Sequence, residues 1–235
     1  MKLTKKKVLV IGVVMSLMAI MSMGTLAWLN YTDTVTNRFM VADSDGDGAP
    51  DFTVDVWETE NDGDDQVDAD GDGDPVITQE GNTYDRIAPG DVLVKDPTVE
   101  NTGDYDQWIR ALVTFDEYSK LAAACDQYDS VSSDLRDWLD VDHTVWTADM
   151  QTIVGNDTIT YVYYCNEKLA KDAAVTLFQT ITIPGEFTQE DMVFVSGDFT
   201  VSVKAEAVQT ANIEANTAKD AFDAVGWTAG QGYES

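Results

Sequence analysis

The chain has 235 residues, with 14 Lys and Arg against 43 Asp and Glu, a formal net charge of −29. That balance excludes nucleic acid as a partner class, because phosphate binding needs clustered cations to displace counterions. It suits high solubility, repulsion between like molecules and capture of hard cations. The length is that of one or two domains, ample for a core.

The first 27 residues carry Lys2, Lys5, Lys6 and Lys7 and no acid, so their removal takes the charge from −29 to −33. Val8 to Met23 is an unbroken apolar run, and Thr25-Leu26-Ala27 places small residues at the −3 and −1 positions of a signal-peptidase site. The reading is an export signal over residues 1–27, cut between Ala27 and Trp28. The run is somewhat short for a membrane span, which needs about 20 residues. An uncleaved N-terminal anchor is the other reading, and the only route by which the chain would hold a membrane. Residues 28–42 follow, mixing Thr, Val and Phe in strand-like fashion with few side chains to bury a full face. Such a segment pairs with its own sheet or with a neighbour's.

Residues 43–75 contain 14 acids and neither Lys nor Arg. Asp43, Asp45, Asp47 and Asp51, with the turn glycine Gly48 at position 6, follow the D-x-D-x-D-G-x-x-D spacing. Alternate carboxylates at loop positions 1, 3 and 5 converge on one ion, and a ninth-position carboxylate ligates directly or through water. Position 12 is Val54, where an EF-hand would need a bidentate Glu, so this is no EF-hand. Asp68, Asp70 and Asp72 repeat the pattern. Calcium is the expected cofactor of both stretches, with a solvated acidic linker as the alternative. Phe52 to Trp57, between them, alternates as a strand does.

From residue 76 to 229 the chain reads as the body of an all-β protein. Val92 to Phe115 reads as strand, a tight Asn101-Thr102-Gly103-Asp104 turn, and strand, an antiparallel hairpin. Residues 116–149 look helical: Tyr118 to Cys125 has helix formers at helical spacing, and Ser132 or Ser133 is placed to cap Leu135 to Leu139. Thr158 to Cys165, Ala174 to Ile183 and Phe199 to Gln209 read as further strands, and Ala218 to Val225 as a short helix. Strands without a βαβ rhythm point to an antiparallel sandwich. Residues 230–235 read as a flexible tail.

Cys125 and Cys165 are the only cysteines. In an exported chain an even count favours a disulfide, closing a loop of about 40 residues for roughly 3–4 kcal/mol. Two reduced, buried thiols are the alternative.

Three blocks resemble the TasA/camelysin family of exported Gram-positive surface proteins. Pro89-Gly90-Asp91, Val99-Glu100-Asn101-Thr102-Gly103 and Trp108-Ile109-Arg110 match its central pattern. Gly24-Thr25-Leu26-Ala27 with Tyr31-Thr32-Asp33-Thr34 is similar to the junction cut by the dedicated SipW-type signal peptidase. Phe199 to Gln209 and Ala218 to Trp227 are similar to its closing strand and helix. The aspartate-rich stretches and much of residues 116–160 are not part of that pattern.

The resemblance implies a jelly-roll-like β-sandwich with short inserted helices, located at the cell surface or in a biofilm matrix. It also implies fibres of like subunits, in which an N-terminal strand completes a neighbour's sheet. Residues Trp28 to Val41 would be the donor, with Tyr31, Val35, Phe39 and Val41 as anchors. Camelysin-type members are classed as metallo-endopeptidases, so a secreted peptidase is one alternative. A monomeric calcium-dependent adhesin is another. The peptidase reading finds no HExxH, and the one histidine, His143, excludes any site needing two imidazoles. The expectation is a structural subunit rather than an enzyme.

Overall fold

The computed structural model describes residues 30–33, 53–60, 76–82, 84, 87–188, 190–192 and 200–230. It is all-β in character, with two short α-helices among the described residues. The strands are β1 (Asn30–Asp33), β2 (Val54–Thr59), β3 (Ile77–Thr78), β4 (Val92–Val94), β5 (Thr98–Asn101) and β6 (Gln107–Phe115). After helix α1 (Tyr118–Cys125) and a 3-10 turn (Leu135–Trp138) come β7 (Trp146–Val154), β8 (Ile159–Cys165), β9 (Ala174–Thr176), β10 (Thr180–Thr182) and β11 (Val201–Gln209). Helix α2 (Ala218–Ala224) closes the described chain. Every strand pairing among the described residues is antiparallel.

A five-stranded sheet runs β1-β11-β6-β8-β7, a four-stranded sheet β3-β2-β5-β9, and β10 pairs with β4. The two-residue period of the strands decides which face meets what. On β6, Ile109, Ala111, Val113 and Phe115 join Tyr161 and Tyr163 of β8 and Ala205 and Ala207 of β11 in one core. Val54, Val99, Leu177, Ile181 and Ile183 of the opposing layer pack into the same core. The alternate residues Trp108, Leu112, Val162, Tyr164 and Val208 face the other way, against Phe222 of α2 and Trp227. The large sheet is therefore covered on both faces. That explains why β8 is buried at all seven positions. Each large apolar side chain so buried contributes about 1.5–3 kcal/mol.

The helical segment caps one end of the core. Phe115 meets Trp138 edge-on at 6.4 Å, and Trp138 meets Phe187 at 5.9 Å. Asp157, in the turn between β7 and β8, holds the start of α1: its carbonyl accepts from Tyr118 N at 3.1 Å and its carboxylate from Ser119 N at 2.8 Å. The 3-10 turn is capped by Asp134, which accepts from Arg136 N, and not by Ser132 or Ser133.

Three expectations need correction. The Asn101–Asp104 segment is no hairpin turn: β5 lies in the four-stranded sheet and β6 in the five-stranded one, so the chain crosses between layers here. The Asn101 side chain accounts for the crossing. Its amide donates to the carbonyls of Tyr105 and Leu169, both at 2.9 Å, while its oxygen accepts from Gly103 N at 3.0 Å and Gln107 Nε2 at 2.6 Å. Second, Ala174 to Ile183 is two strands: β9 pairs with β5 and β10 with β4. Leu177 and Phe178 between them turn into the core. Third, the helical stretch ends earlier than residue 149, because β7 begins at Trp146, which is wholly buried and pairs with Cys165. Moreover β2, inside the expected 43–75 insertion, is a structural strand paired to β5 and β3.

Among the described residues no helix is long and apolar enough to cross a membrane. The export signal 1–27, the cleavage pair Ala27 and Trp28, and most of the tail lie outside the described residues.

Candidate functional site

The expected donor segment is described only at Asn30–Asp33, which forms the outer strand of the five-stranded sheet. Its partner β11 is bound along one side by β6 over nine residues, Val201↔Phe115 to Gln209↔Gln107. On its other side β1 covers four: Asn30↔Val208, Tyr31↔Ala207, Thr32↔Glu206 and Asp33↔Ala205. Of the expected anchors, Tyr31 thus stands at the register position of Ala207. Val35, Phe39 and Val41 lie outside the described residues.

Strand β11 is fixed from its far side by a buried ion pair. Glu206 is fully buried, and Arg110 across the β6–β11 ladder is 1% exposed. Arg110 Nε donates to Glu206 Oε2 at 2.6 Å, and Nη1 donates to the Trp227 carbonyl at 2.9 Å. The guanidinium lies 4.0 Å from the Phe222 ring centre and 5.3 Å from that of Trp227. Lys204 Nζ stands 3.3 Å from the other Glu206 oxygen. A planar, weakly hydrated cation can stack on aromatic faces and bond a carboxylate at once, as an ammonium cannot. Charged residues inside the apolar runs Trp108 to Phe115 and Val201 to Val208 are the sequence signal for this pair.

The aspartates Asp43, Asp45, Asp47, Asp51, Asp68, Asp70 and Asp72 lie outside the described residues, but their attachment points do not. Residues 61–75 leave from Glu60 and return at Val76, whose carbonyl accepts from Glu60 N at 2.7 Å. The first stretch enters at Thr53, held by Gln107 Nε2 on its carbonyl at 3.1 Å and by Thr102 on its hydroxyl at 2.6 Å. The two stretches therefore join opposite ends of β2, about 20 Å apart for a six-residue strand. As a donor set, alternate carboxylates fit a hard divalent cation with oxygen ligands. Among the described residues, no three His, Cys, Asp or Glu side chains gather closely enough to hold a metal.

His143 is exposed in the turn before β7, where Asp142 accepts from Thr144 N at 2.8 Å. Asp140 is committed to the backbone N–H groups of Gln179 and Thr180, both at 2.7 Å. The structure does not bring these three into a site.

The Cys125–Cys165 bridge is not formed: both are free, buried thiols. Helix α1 opens beside Asp157, next to the Ile159 end of β8, whereas Cys165 ends that strand about 20 Å away. Eight helical residues rise only about 10 Å. The helix thus starts at the opposite end of β8 from Cys165 and is too short to run the strand's length. Burial, with the Asp126 charge next to it, pushes the Cys125 thiol up to about 11, and burial likewise raises Cys165.

A cleft of about 390 Å³ separates β7 and β8 from α2, lined by Asp149, Ile153, Tyr164, Lys219 and Trp227 among others. Lys219 reaches Asp149 at 3.3 Å across it, which ties the helix to the sheet.

Comparison of the chain with protein-family models, curated proteins and solved structures finds no match in any of the three.

Proposed function

We propose that the protein is an exported structural subunit that assembles into surface or biofilm-matrix fibres by strand addition. The observation that carries this reading is the position of Asn30–Asp33, a four-residue N-terminal strand at the outside of a sheet, attached by main-chain pairing to β11. In strand addition, main-chain hydrogen bonds carry affinity and alternate side chains carry register. The same segment of a second copy satisfies the same β11 groups, so one chain's N-terminus exchanges for another's without new chemistry. A receiving strand held by Arg110–Glu206 and nine pairs to β6 keeps its shape while that exchange happens. The layered antiparallel sheets are compatible with a jelly-roll-like sandwich, and the resemblance of the N-terminal junction places the exchange after cleavage by a SipW-type peptidase.

Calcium held by Asp43, Asp45, Asp47 and Asp51, and by Asp68, Asp70 and Asp72, would neutralise the most acidic stretch of a strongly anionic chain. The first stretch begins two residues after Val41, so its neutralisation bears directly on whether the donor segment can approach another subunit.

Electron microscopy of the mature protein tests the assembly. Deleting Trp28 to Val41 is expected to abolish filaments and leave a folded monomer; filaments that persist would remove strand addition. Calorimetry with calcium on the wild type and on the double variant Asp45→Ala, Asp47→Ala tests the metal separately. Unchanged heat in the variant would discard the first stretch as a site. Filament formation indifferent to chelator would discard control by calcium.

A further inference from the structure

Away from the assembly edge, one carboxylate touches both a primary amine and a primary amide in a nearly closed pocket. Glu58 on β2 is 6% exposed, and Lys95, just beyond β4, is 7% exposed. Glu58 Oε1 pairs with Lys95 Nζ, and Glu58 Oε2 accepts from Asn82 Nδ2 at 3.3 Å. Asn82 Nδ2 also donates to the Thr59 carbonyl at 2.8 Å, which fixes the plane of the amide. The surroundings are rigid. Asp96 takes the Thr59 N–H at 2.8 Å and its hydroxyl at 2.6 Å, and Lys95 N donates to the Gln179 carbonyl at 3.0 Å.

A buried ion pair alone is a poor stabilising device, since desolvation offsets most of its attraction. Nor does an ion pair call for a third partner whose carboxamide carbon is an electrophile. These three groups are instead the parts of a condensation: a nucleophilic amine, an acceptor carbonyl, and an acid–base group bonded to both.

We propose that Lys95 and Asn82 join in an intramolecular isopeptide bond, with Glu58 carrying the protons. Glu58 takes a proton from the Lys95 ammonium and frees the lone pair on Nζ. Nζ attacks Cγ of Asn82, and the new C–N bond gives a tetrahedral centre. A further Nζ proton passes through the Glu58 carboxyl to Nδ2, the Cγ–Nδ2 bond breaks and ammonia leaves with the lysine's extra proton as ammonium. One amide replaces another, Glu58 ends as it began, and no metal, oxidant or second substrate is consumed. Fixed proximity replaces the bimolecular encounter, and exclusion of water protects the tetrahedral centre from hydrolysis.

The bond would tie the segment after β3 to the crossing between β4 and β5. Because β3 pairs with β2 at the base of residues 61–75, the covalent link would hold the root of the second aspartate-rich stretch to the body.

Mass spectrometry of the denatured full-length chain tests the proposal. The wild type is expected to be lighter than its sequence mass by one ammonia. Glu58→Ala, Lys95→Ala and Asn82→Ala are each expected at full mass. Asn82→Ala keeps the Lys95–Glu58 pair, so its folded state can be verified by circular dichroism while the bond is absent. Trypsin should fail to cut the wild type after Lys95 and release a branched peptide joining the fragment that ends at Arg86 to Ile87–Arg110. A wild type at full mass with normal cleavage after Lys95 would overturn the proposal. So would an ammonia deficit confined to Asn82–Thr83 with Lys95 cleaved, the mark of a succinimide.

Discussion

Arg110 and Glu206 face each other across β6 and β11 on the side of the sheet turned away from the main core, and their pairing decides how α2 is held. Glu206 takes the guanidinium from the strand side, while the Trp227 carbonyl and the Phe222 ring take it from the helix side. One cation thus joins β11 to the C-terminal cover.

Glu206→Ala should therefore destabilise by about 3–5 kcal/mol, because it strands a buried guanidinium without its counter-charge. The double variant Arg110→Met, Glu206→Leu should recover much of that loss, since apolar replacements of similar volume remove the desolvation cost of both partners. Urea denaturation followed by tryptophan fluorescence measures both. A double variant no better than the single one would mean that the pair is not the anchor of α2.

Asn101 holds the crossing between the sheets with four hydrogen bonds from one side chain, all in a fully buried position. Asn101→Asp keeps the size but loses both donors, and it aims a carboxylate at the carbonyls of Tyr105 and Leu169. Each buried group left unpaired costs about 1–3 kcal/mol, and a buried charge adds to that. The variant is expected to be among the least stable single substitutions in the chain, below Asn101→Ala. Thermal melts of the two settle the order.

The strands β6, β8 and β11 were legible because β-branched and aromatic residues recur along each of them, in a run in β8 and around a few polar residues in β6 and β11, and α2 because small residues fall at helical spacing. The crossing at Asn101 was not legible as one. Asn-Thr-Gly-Asp between two apolar runs is the same local signal whether the strands pair or part, and the difference lies in Leu169 and Thr53, distant in sequence. The division of Ala174 to Ile183 was hidden for a similar reason: its two halves pair with different strands, β5 and β4. The Glu58, Asn82 and Lys95 cluster had no spacing signal at all, since β2, the segment after β3, and β4 are brought together only by tertiary pairing. The acidic stretches stood out in the sequence, and the structure fixes where both are rooted.

The two thiols offer a direct check on the core. Cys125 is raised to about 11 and Cys165 is raised too, both by burial first, so neither forms an appreciable thiolate near neutrality. Because the folded values lie above the unfolded ones, the associated stability is complete below the ordinary thiol range. It is lost as the pH climbs through the folded values. Ellman's reagent at pH 8 should find no reactive thiol in the native protein and two after denaturation. None after denaturation would mean a bridge had formed; two in the native state would mean the helical cap is open.

Tyr128 and Asp191 clamp the helical segment to the chain ahead of β11, and their titration reports whether the clamp is closed. The tyrosine hydroxyl donates to Asp191 Oδ2 at 2.6 Å, and Thr188 adds its N–H and hydroxyl to the same oxygen, both at 2.7 Å. These bonds, Tyr128's first, hold the Asp191 carboxyl down at about 2, while the same contact raises Tyr128 above its usual value of 10. A depressed carboxyl stabilises above its unfolded value near 3.8 and loses that contribution as the pH falls through about 2. A raised phenol stabilises below 10 and loses its contribution as the pH rises through the folded value. The clamp is therefore closed from about pH 4 to about pH 10. In Tyr128→Phe the Asp191 carboxyl should titrate closer to 3.8 without reaching it, because both Thr188 bonds remain. Carboxyl carbon shifts followed by NMR across acid pH give the comparison. An unchanged Asp191 titration in the variant would show that the phenol does not bear on that carboxylate in solution.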